Sequence, residues 1–136
     1  PELLAHFAAM TRLHAALAPY VRAAGVEAGT TGLPLMRALF LHYPDDRATW
    51  DLHDQYLYGR DLLVAPVVSA GAAGREVYLP ADDWLDFYSG APVAAGERHV
   101  AAPHGKPPVF VRAAAAMRAD LLAIGRAHAA VAEALA

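Results

Sequence analysis

Residues 61–68 read DLLVAPVV, a nearly unbroken apolar run in the middle of the chain. A short apolar run bounded by turn residues is typical of a buried β-strand. Pro66 has no backbone N–H to donate, so its place within the run predicts an edge position or a bulge. The run therefore indicates that the centre of this protein is built on a sheet.

Further short stretches on both sides of this run have the composition of strands and end in turn residues. They are residues 35–41, 75–79, 84–88, 98–101 and 108–112. Several short strands at such spacing predict an antiparallel sandwich or barrel and argue against a parallel α/β sheet. We expect the β-region to cover residues 33–112.

Both ends of the chain carry the periodicity of helices. In residues 1–32 apolar side chains recur every three or four positions, at Leu3, Phe7, Met10, Leu13 and Leu17. Pro19 removes a backbone donor and predicts a kink or local break. Residues 113–136 carry a second stripe, formed by Met117, Leu121, Ile124, His128, Val131 and Leu135. Gly125 is expected to weaken this helix by about 1 kcal/mol relative to alanine.

Composition limits the possible functions. Hydrophobic residue types make up 57% of 136 residues, but alanine alone is about a quarter of the chain, so one modest core is expected. A formal net charge of −3 argues against binding to nucleic acid or to an acidic membrane surface. The absence of cysteine excludes disulfides and thiolate metal sites. Every apolar run is shorter than the roughly 18 residues that a spanning helix needs.

The first residues, Pro1-Glu2-Leu3, show neither an initiator methionine nor the pattern of a signal segment. The sequence begins inside the first predicted helix. We therefore expect a piece of a longer polypeptide and a cytoplasmic location.

The densest polar cluster combines two imidazoles with four carboxylates, which is compatible with a metal site. Its members are His42, Asp45, Asp46, Asp51, His53 and Asp54. Their spacing matches no zinc or calcium motif, and aspartates after Pro44 are typical of turns and helix caps. We predict turn and cap roles here, with no metal ligand and no cofactor.

Paired carboxylates carry the chemistry of glycosidases, and Asp82 and Asp83 lie next to Trp84. Adjacent residues of a strand point to opposite faces, however, so this pair is poorly placed to share a substrate. Ser69 and Ser89 lie outside any nucleophile elbow, and histidines such as His6, His14 and His128 are expected to be hydrogen-bonded rather than catalytic. We predict no catalytic, cofactor-binding or metal site within this chain.

Two long stretches resemble glycoside hydrolase family 31. Residues 31–46 read TGLPLMRALFLHYPDD and residues 54–67 read DQYLYGRDLLVAPV. They are similar to the family's Gly-Leu-Pro-x-x-Arg-Pro-Leu segment, its Pro-x-Asp turn and its Asp-Gln-x-x-x-Gly-x-x-Leu-Leu-Val-Ala-Pro-Val motif. Residues 75–80 and 84–90 resemble the next blocks in order, and residues 17–20 resemble the Leu-x-Pro-Tyr of the last barrel helix. Ala38 stands where the family usually has proline.

Residues 105–113 read GKPPVFVRA and lead into the last helix, a form similar to the sulfoquinovosidase branch of the family. That branch removes sulfoquinovose, a 6-sulfonated sugar, from α-glycosides. The resemblance implies a mixed α+β fold: the last helix of a (β/α)8 barrel at 1–32, a small antiparallel β-sandwich at 33–112 and a C-terminal helix at 113–136. An α-glucosidase or α-xylosidase of the same family is the alternative.

Members of the family are retaining enzymes with an aspartate nucleophile and an aspartate acid/base. The resemblance places both on barrel strands before Pro1, so the missing N-terminal barrel is the expected partner and the isolated chain is expected to be inactive. Arg37, Asp54, Gln55 and Asp61 match family positions and are interpreted as architectural.

A second hypothesis is a non-catalytic carbohydrate-binding or interaction sandwich with Trp84, Tyr88 and Tyr78 as an exposed aromatic platform. A third is a truncated product without an autonomous role, which predicts that the apolar face of the first helix is left partly uncovered.

Overall fold

The computed structural model describes residues 2–135. Within that range the chain forms three α-helices, which are α1 (Glu2–Ala16), α2 (Ala18–Thr31) and α3 (Arg118–Glu133). The strands are β1 (Met36–Arg37), β2 (Tyr56–Tyr58), β3 (Leu62–Val64), β4 (Gly74–Leu79), β5 (Trp84–Asp86), β6 (Pro92–Val93), β7 (Gly96–Ala101) and β8 (Val109–Arg112). Two short 3₁₀ helices, Leu39–Leu41 and Arg47–Thr49, lie between β1 and β2. The fold is mixed α+β.

The strands form two antiparallel sheets. The larger sheet has six strands in the order β1-β2-β3-β8-β5-β6, and the smaller one pairs β4 with β7. Strand β3 is central, with Leu63 opposite Leu57 on one side and Phe110 on the other. The antiparallel arrangement predicted from the strand spacing is therefore confirmed.

Alternation along the central strands divides the core into two parts. Leu63 and Phe110 are buried together with Val77 and Leu79 of the smaller sheet and with Trp84. Their neighbours in the strands point to the opposite face, as expected from the pleat. Each large apolar side chain buried in this way contributes about 1.5–3 kcal/mol.

The helices cover that opposite face of the six-stranded sheet. Leu62 and Val111 lie there in a second core with Tyr20 of α2, Leu121 of α3 and Phe87. Helix α1 packs mainly against α3. None of the helices in residues 2–135 is long and apolar enough to cross a membrane.

Two of the predicted strands are shorter than expected. In the run 61–68 only Leu62–Val64 is strand, and it lies inside the sheet. The expected edge position or bulge at Pro66 is wrong: pairing ends at Ala65, whose N–H donates to the Pro108 carbonyl at 3.0 Å, and Pro66 follows with no N–H to continue it. In 35–41 only Met36–Arg37 is strand, because the chain then turns into a 3₁₀ helix that buries Leu39 completely.

The helical ends also differ from the predicted pattern. The predicted break in the first helix is present at Leu17, and Pro19 lies at the start of α2, where no intrahelical donor is needed. At the other end, residues 113–117 form turns, and the helix begins only at Arg118. The N–H of Ala113 donates to the Asp83 carbonyl at 2.7 Å, which ties this segment to the sheet before the helix starts.

Gly125 is the point of closest approach between α3 and the sheet. The buried face of the helix consists of Leu121, Gly125, His128 and Ala132. A Cβ atom at position 125 would overlap the carbonyl oxygen of Phe87. The prediction that Gly125 weakens the helix rests on helix propensity alone. In the folded protein, the absence of a side chain at this position allows α3 to pack against Phe87.

Candidate functional site

Arg37 is a buried cation that joins the end of α2 to the first strand. It is 1% exposed. Its Nε donates to the Pro34 carbonyl at 2.6 Å, and its Nη1 lies 3.2 Å from the Glu27 carboxylate. The hydrogen bond from Arg37 holds the pKa of Glu27 below its ordinary value. Loss of Glu27 would leave the buried charge of Arg37 uncompensated, so the contacts of Arg37 are those of an architectural residue.

His42 lies between two guanidinium groups. Its Nε2 is 2.9 Å from Arg37 Nη1, and its Nδ1 is 3.4 Å from Arg60 Nη1. Burial, together with the positive charges of Arg60 and Arg37, lowers the pKa of His42. This shift favours the neutral imidazole, which can accept a hydrogen bond at only one nitrogen.

Asp61 and Arg112 form a partly buried ion pair across β3 and β8. Asp61 Oδ1 accepts from Arg112 Nε at 3.0 Å and from Nη2 at 2.7 Å. Burial alone would lower the pKa of Arg112, but the hydrogen bond and the charge of Asp61 outweigh it and raise that pKa. The backbone N–H of Asp61 also donates to Tyr20 Oη at 3.1 Å, so this residue connects the sheet to α2.

Tyr20 completes that connection. Its hydroxyl donates to the Tyr58 carbonyl at 2.6 Å, and burial raises its pKa to about 12. Gly59 lies under this hydroxyl with φ +63°, and a Cβ atom there would overlap Tyr20 Oη. Only glycine accepts both this backbone conformation and this contact at little cost.

Gln55 and Asp54 connect the two sheets. The Gln55 side chain pairs with the Tyr78 backbone like an extra strand residue: its Nε2 donates to the carbonyl at 2.6 Å, and its Oε1 accepts from the N–H at 3.0 Å. Asp54 pairs with Arg75 at 2.6 Å. Arg75 also donates to the Pro66 carbonyl at 2.5 Å. All four residues interpreted as architectural therefore bind backbone or charged partners within the fold.

The predicted polar cluster at residues 42–54 is not assembled into one site. Asp46 caps the second 3₁₀ helix through the Ala48 N–H at 3.1 Å, as predicted, and accepts from the Tyr78 hydroxyl at 2.6 Å. His42 faces arginines and Asp54 faces Arg75, while Asp45, Asp51 and His53 are exposed. Across residues 2–135, no group of three or more His, Asp or Glu side chains is arranged to hold a metal ion.

The acidic pair beside Trp84 is also separated by the fold. Asp82 accepts from the Tyr43 hydroxyl at 3.1 Å, whereas Asp83 is exposed. Trp84 is 1% exposed, and its Nε1 donates to the Pro80 carbonyl at 2.9 Å inside the core. Tyr78 and Tyr88 are half-buried and hydrogen-bonded. The exposed aromatic platform of the second hypothesis is therefore wrong.

The partners of the family-matching residues, which are Arg112, Arg75 and Tyr20, are not predicted from the sequence. For two of these partners the sequence does contain a feature that could have pointed to them. Arg112 ends a predicted strand and belongs to the stretch GKPPVFVRA, and Tyr20 follows Pro19 in a matched stretch. Their partners lie 51 and 41 positions away, a separation that only the folded topology reveals.

Residues 32–117 match the model of the glycosyl hydrolase family 31 C-terminal domain. The chain belongs to glycoside hydrolase family 31. The four anchoring residues Arg37, Asp54, Gln55 and Asp61 all lie inside the matched range.

Relatives within the family include sulfoquinovosidases. The chain is 50% identical over 112 residues to the sulfoquinovosidase of Escherichia coli (strain K12), an alignment that covers 82% of this chain and 16% of that protein. A family 31 sulfoquinovosidase from E. rectale, solved with an aza-sugar inhibitor, superposes with a TM-score of 0.85 at 33% identity, over 90% of this chain and 18% of that one.

A family 31 α-xylosidase from a soil metagenome, solved with xylose, superposes with a TM-score of 0.77 at 43% identity. The superposition covers 81% of this chain and 17% of the xylosidase. The chain thus spans less than a fifth of the length of each of these relatives.

Proposed function

We propose that this chain is the C-terminal supporting part of a retaining α-glycosidase that hydrolyses α-glycosides of sulfoquinovose. The observation that carries the proposal is the 50% identity to the E. coli sulfoquinovosidase over 82% of the chain. The ending GKPPVFVRA, which leads into a terminal helix, supports the same branch.

The supporting role follows from how the acidic residues are used. Retaining glycosidases need one carboxylate as nucleophile and a second as acid and base. Here Asp46, Asp54, Asp61 and Asp82 each accept hydrogen bonds or ion pairs that hold the two sheets and the loops together. Each of these four carboxylates has its partners within this chain, which supports a structural role for it. On the family resemblance, we assign the catalytic aspartates to a barrel that precedes this chain in the whole enzyme.

In the proposed enzyme, residues 1–32 belong to the last helical part of a (β/α)8 barrel, residues 33–112 are a β-sandwich made by the two sheets, and residues 113–136 are a C-terminal segment that contains α3 (Arg118–Glu133). Tyr20 and Glu27 support this division, since they bind the β-region from the helical side. Through these contacts the sandwich braces the barrel. The proposal also includes a cytoplasmic location, which fractionation of producing cells tests.

The test compares the whole polypeptide with the 136-residue chain on 4-nitrophenyl α-sulfoquinovoside, α-glucoside and α-xyloside. The whole polypeptide is expected to release 4-nitrophenol from the sulfoquinovoside, and the chain alone from none of the three. Hydrolysis by the chain alone would overturn the supporting role. Preference of the whole enzyme for the xyloside would favour the second candidate, which the 43% identity to the α-xylosidase supports.

A further inference from the structure

Two exposed apolar residues, Phe40 and Leu41, directly precede His42 in the chain, and the His42 imidazole contacts Arg60. Phe40 is 40% exposed, Leu41 39% and Trp50 51%. The rings of Phe40 and Trp50 are tilted against each other with centroids 6.4 Å apart. We refer to Phe40, Leu41, His42, Trp50 and Arg60 as the 40–60 surface. Contiguous exposed apolar groups on a soluble domain indicate an interaction site.

The polar half of this surface has more donors than acceptors. Arginine only donates, and neutral histidine accepts at one nitrogen and donates at the other. The shorter contact, from Arg37 at 2.9 Å, uses His42 Nε2 as the acceptor. The Nδ1–H then faces the Arg60 guanidinium, itself a donor, at 3.4 Å. An acceptor that lies to one side of this pair, within about 3 Å of each nitrogen, could accept from both donors.

The charges point to an anionic acceptor. Two guanidinium groups, Arg37 and Arg60, flank His42, and the carboxylate of Glu27 is already bound to Arg37. Within residues 2–135 no carboxylate lies within ion-pair distance of Arg60, which is exposed. A positive charge beside exposed aromatic and aliphatic groups has the composition of the centre of a protein interface, where Arg, Trp and Phe are enriched.

We propose that the 40–60 surface docks against the preceding part of the longer family 31 polypeptide, and that a carboxylate of that part binds Arg60 and the His42 Nδ1–H. This inference rests on the proposed function, in which this chain is part of a longer enzyme. The relatives are long enough to supply the occupant, since the chain spans 16% of the E. coli sulfoquinovosidase. A second copy is a poorer occupant, because a two-fold interface through this surface would bring its positive charges together.

Carbodiimide cross-linking of the whole polypeptide tests the contact. R60K places an amine where a carboxylate is expected, so the reagent should form an amide between position 60 and an Asp or Glu that precedes residue 1. Lys106, 2.9 Å from Glu133, serves as the internal positive control, because it should cross-link in every variant. R126K, on the exposed face of α3, is the matched negative control and should give no link to the preceding part.

Peptide mapping by mass spectrometry separates the outcomes. A link from position 60 to the preceding part supports the proposal. A link between copies, recognised by mixing labelled and unlabelled protein, would overturn it, as would the absence of any link from position 60 while Lys106 and Glu133 are joined. The mapping is independent of which glycoside the enzyme hydrolyses, so it remains valid if the assignment to sulfoquinovose fails.

R60Q provides a second readout that does not depend on chemical reactivity. The substitution removes the charge but leaves His42 with its shorter bond to Arg37. It should lower the melting temperature of the whole polypeptide by about 2 °C and leave that of the 136-residue chain unchanged. An equal shift in both, or none in either, would contradict docking at this surface.

Discussion

The six-stranded sheet and helix α1 differ in how many of their contacts this chain itself provides. In the sheet region, the Gln55 side chain pairs with the Tyr78 backbone, and Arg37 binds the Pro34 carbonyl and Glu27. On α1, by contrast, Leu3 is 84% exposed, Leu4 72% and Phe7 68%. The sheet is packed on both faces by residues of this chain. The N-terminal half of α1, in contrast, has apolar side chains that remain exposed to solvent.

The exposure of the apolar side chains decreases along α1 from its N-terminus to its C-terminus. Of the predicted stripe, Leu3 and Phe7 are exposed, while Met10, Leu13 and Leu17 are half-buried, and the last two touch the second core. The expectation of a partly uncovered first helix is therefore confirmed. Burial increases towards the sheet, so the sheet organises only the part of α1 that reaches it. Four predictions, each tested by substitution, would break or sharpen this contrast.

The largest effect is expected where α3 meets the sheet. In G125A the added methyl overlaps the Phe87 carbonyl, and overpacking of this kind should lower the free energy of unfolding by about 3 kcal/mol. G25A on α2 is the matched control, because nothing lies within 4 Å of that position, and it should stabilise the protein by about 0.5–1 kcal/mol. Urea unfolding measures both. A G125A variant as stable as the wild type or more so would mean that α3 does not dock through Gly125.

The connection between α2 and the sheet should weaken at alkaline pH. The pKa of Tyr20 is raised to about 12 in the folded protein from 10.0 in an unperturbed tyrosine. The unfolded chain therefore loses this proton first, and the stability due to Tyr20 is complete below pH 10 and lost as the pH rises to 12. The loss amounts to about 2.5 kcal/mol. Y20F should flatten the decline in unfolding free energy over this range, and an unchanged slope would contradict the assignment.

A largely buried ion pair of the sheet and an exposed ion pair at the end of α3 should differ in strength. D61N removes the charge from a pair in which Asp61 and Arg112 are only 18% and 16% exposed, and should cost about 2 kcal/mol. E133Q breaks the pair of Lys106 with a residue 68% exposed, which should cost less than about 0.5 kcal/mol. Thermal unfolding of both variants distinguishes them, and equal losses would show that the Asp61 pair is no more important than a surface contact.

The smallest effect on stability is expected on α1 itself. F7S replaces a ring that is 68% exposed, so the free energy of unfolding should change by less than about 0.5 kcal/mol. Self-association should decrease, because the exposed patch is smaller. Sedimentation velocity over a range of concentrations measures this. A wild-type chain that stays monomeric at all concentrations would argue against an uncovered α1 face.

The strands could be predicted because their signals are local. Alternation and turn residues located β4, β7 and β8 almost to the residue, and the long run at 61–68 identified the central strand. The prediction of an edge position or bulge at Pro66 is wrong, because apolar composition does not reveal where pairing with β8 ends. The prediction of a strand over residues 35–41 is also wrong for most of its length, because the buried residue Leu39 belongs to a 3₁₀ helix.

The polar anchors could be predicted only in part. The resemblance singled out Arg37, Gln55 and Asp61, but their partners lie elsewhere in the chain, and side-chain contacts between distant positions have no sequence period. Gly125 shows the opposite case. Helix propensity predicts a weak position, whereas close packing against Phe87 makes the glycine necessary. Tertiary contacts determine both the partners of the polar residues and the role of Gly125. A local sequence pattern does not contain this information.

Amide hydrogen exchange of the 136-residue chain and of the whole polypeptide is the most direct test of the supporting role. We expect β2, β3 and β8 to be equally protected in both, and the first half of α1 to be protected only in the whole polypeptide. Equal protection of α1 in both would contradict the account, because the chain would then be complete by itself. Loss of protection in the central strands of the isolated chain would contradict it as well, since the sheet would then depend on the rest of the enzyme.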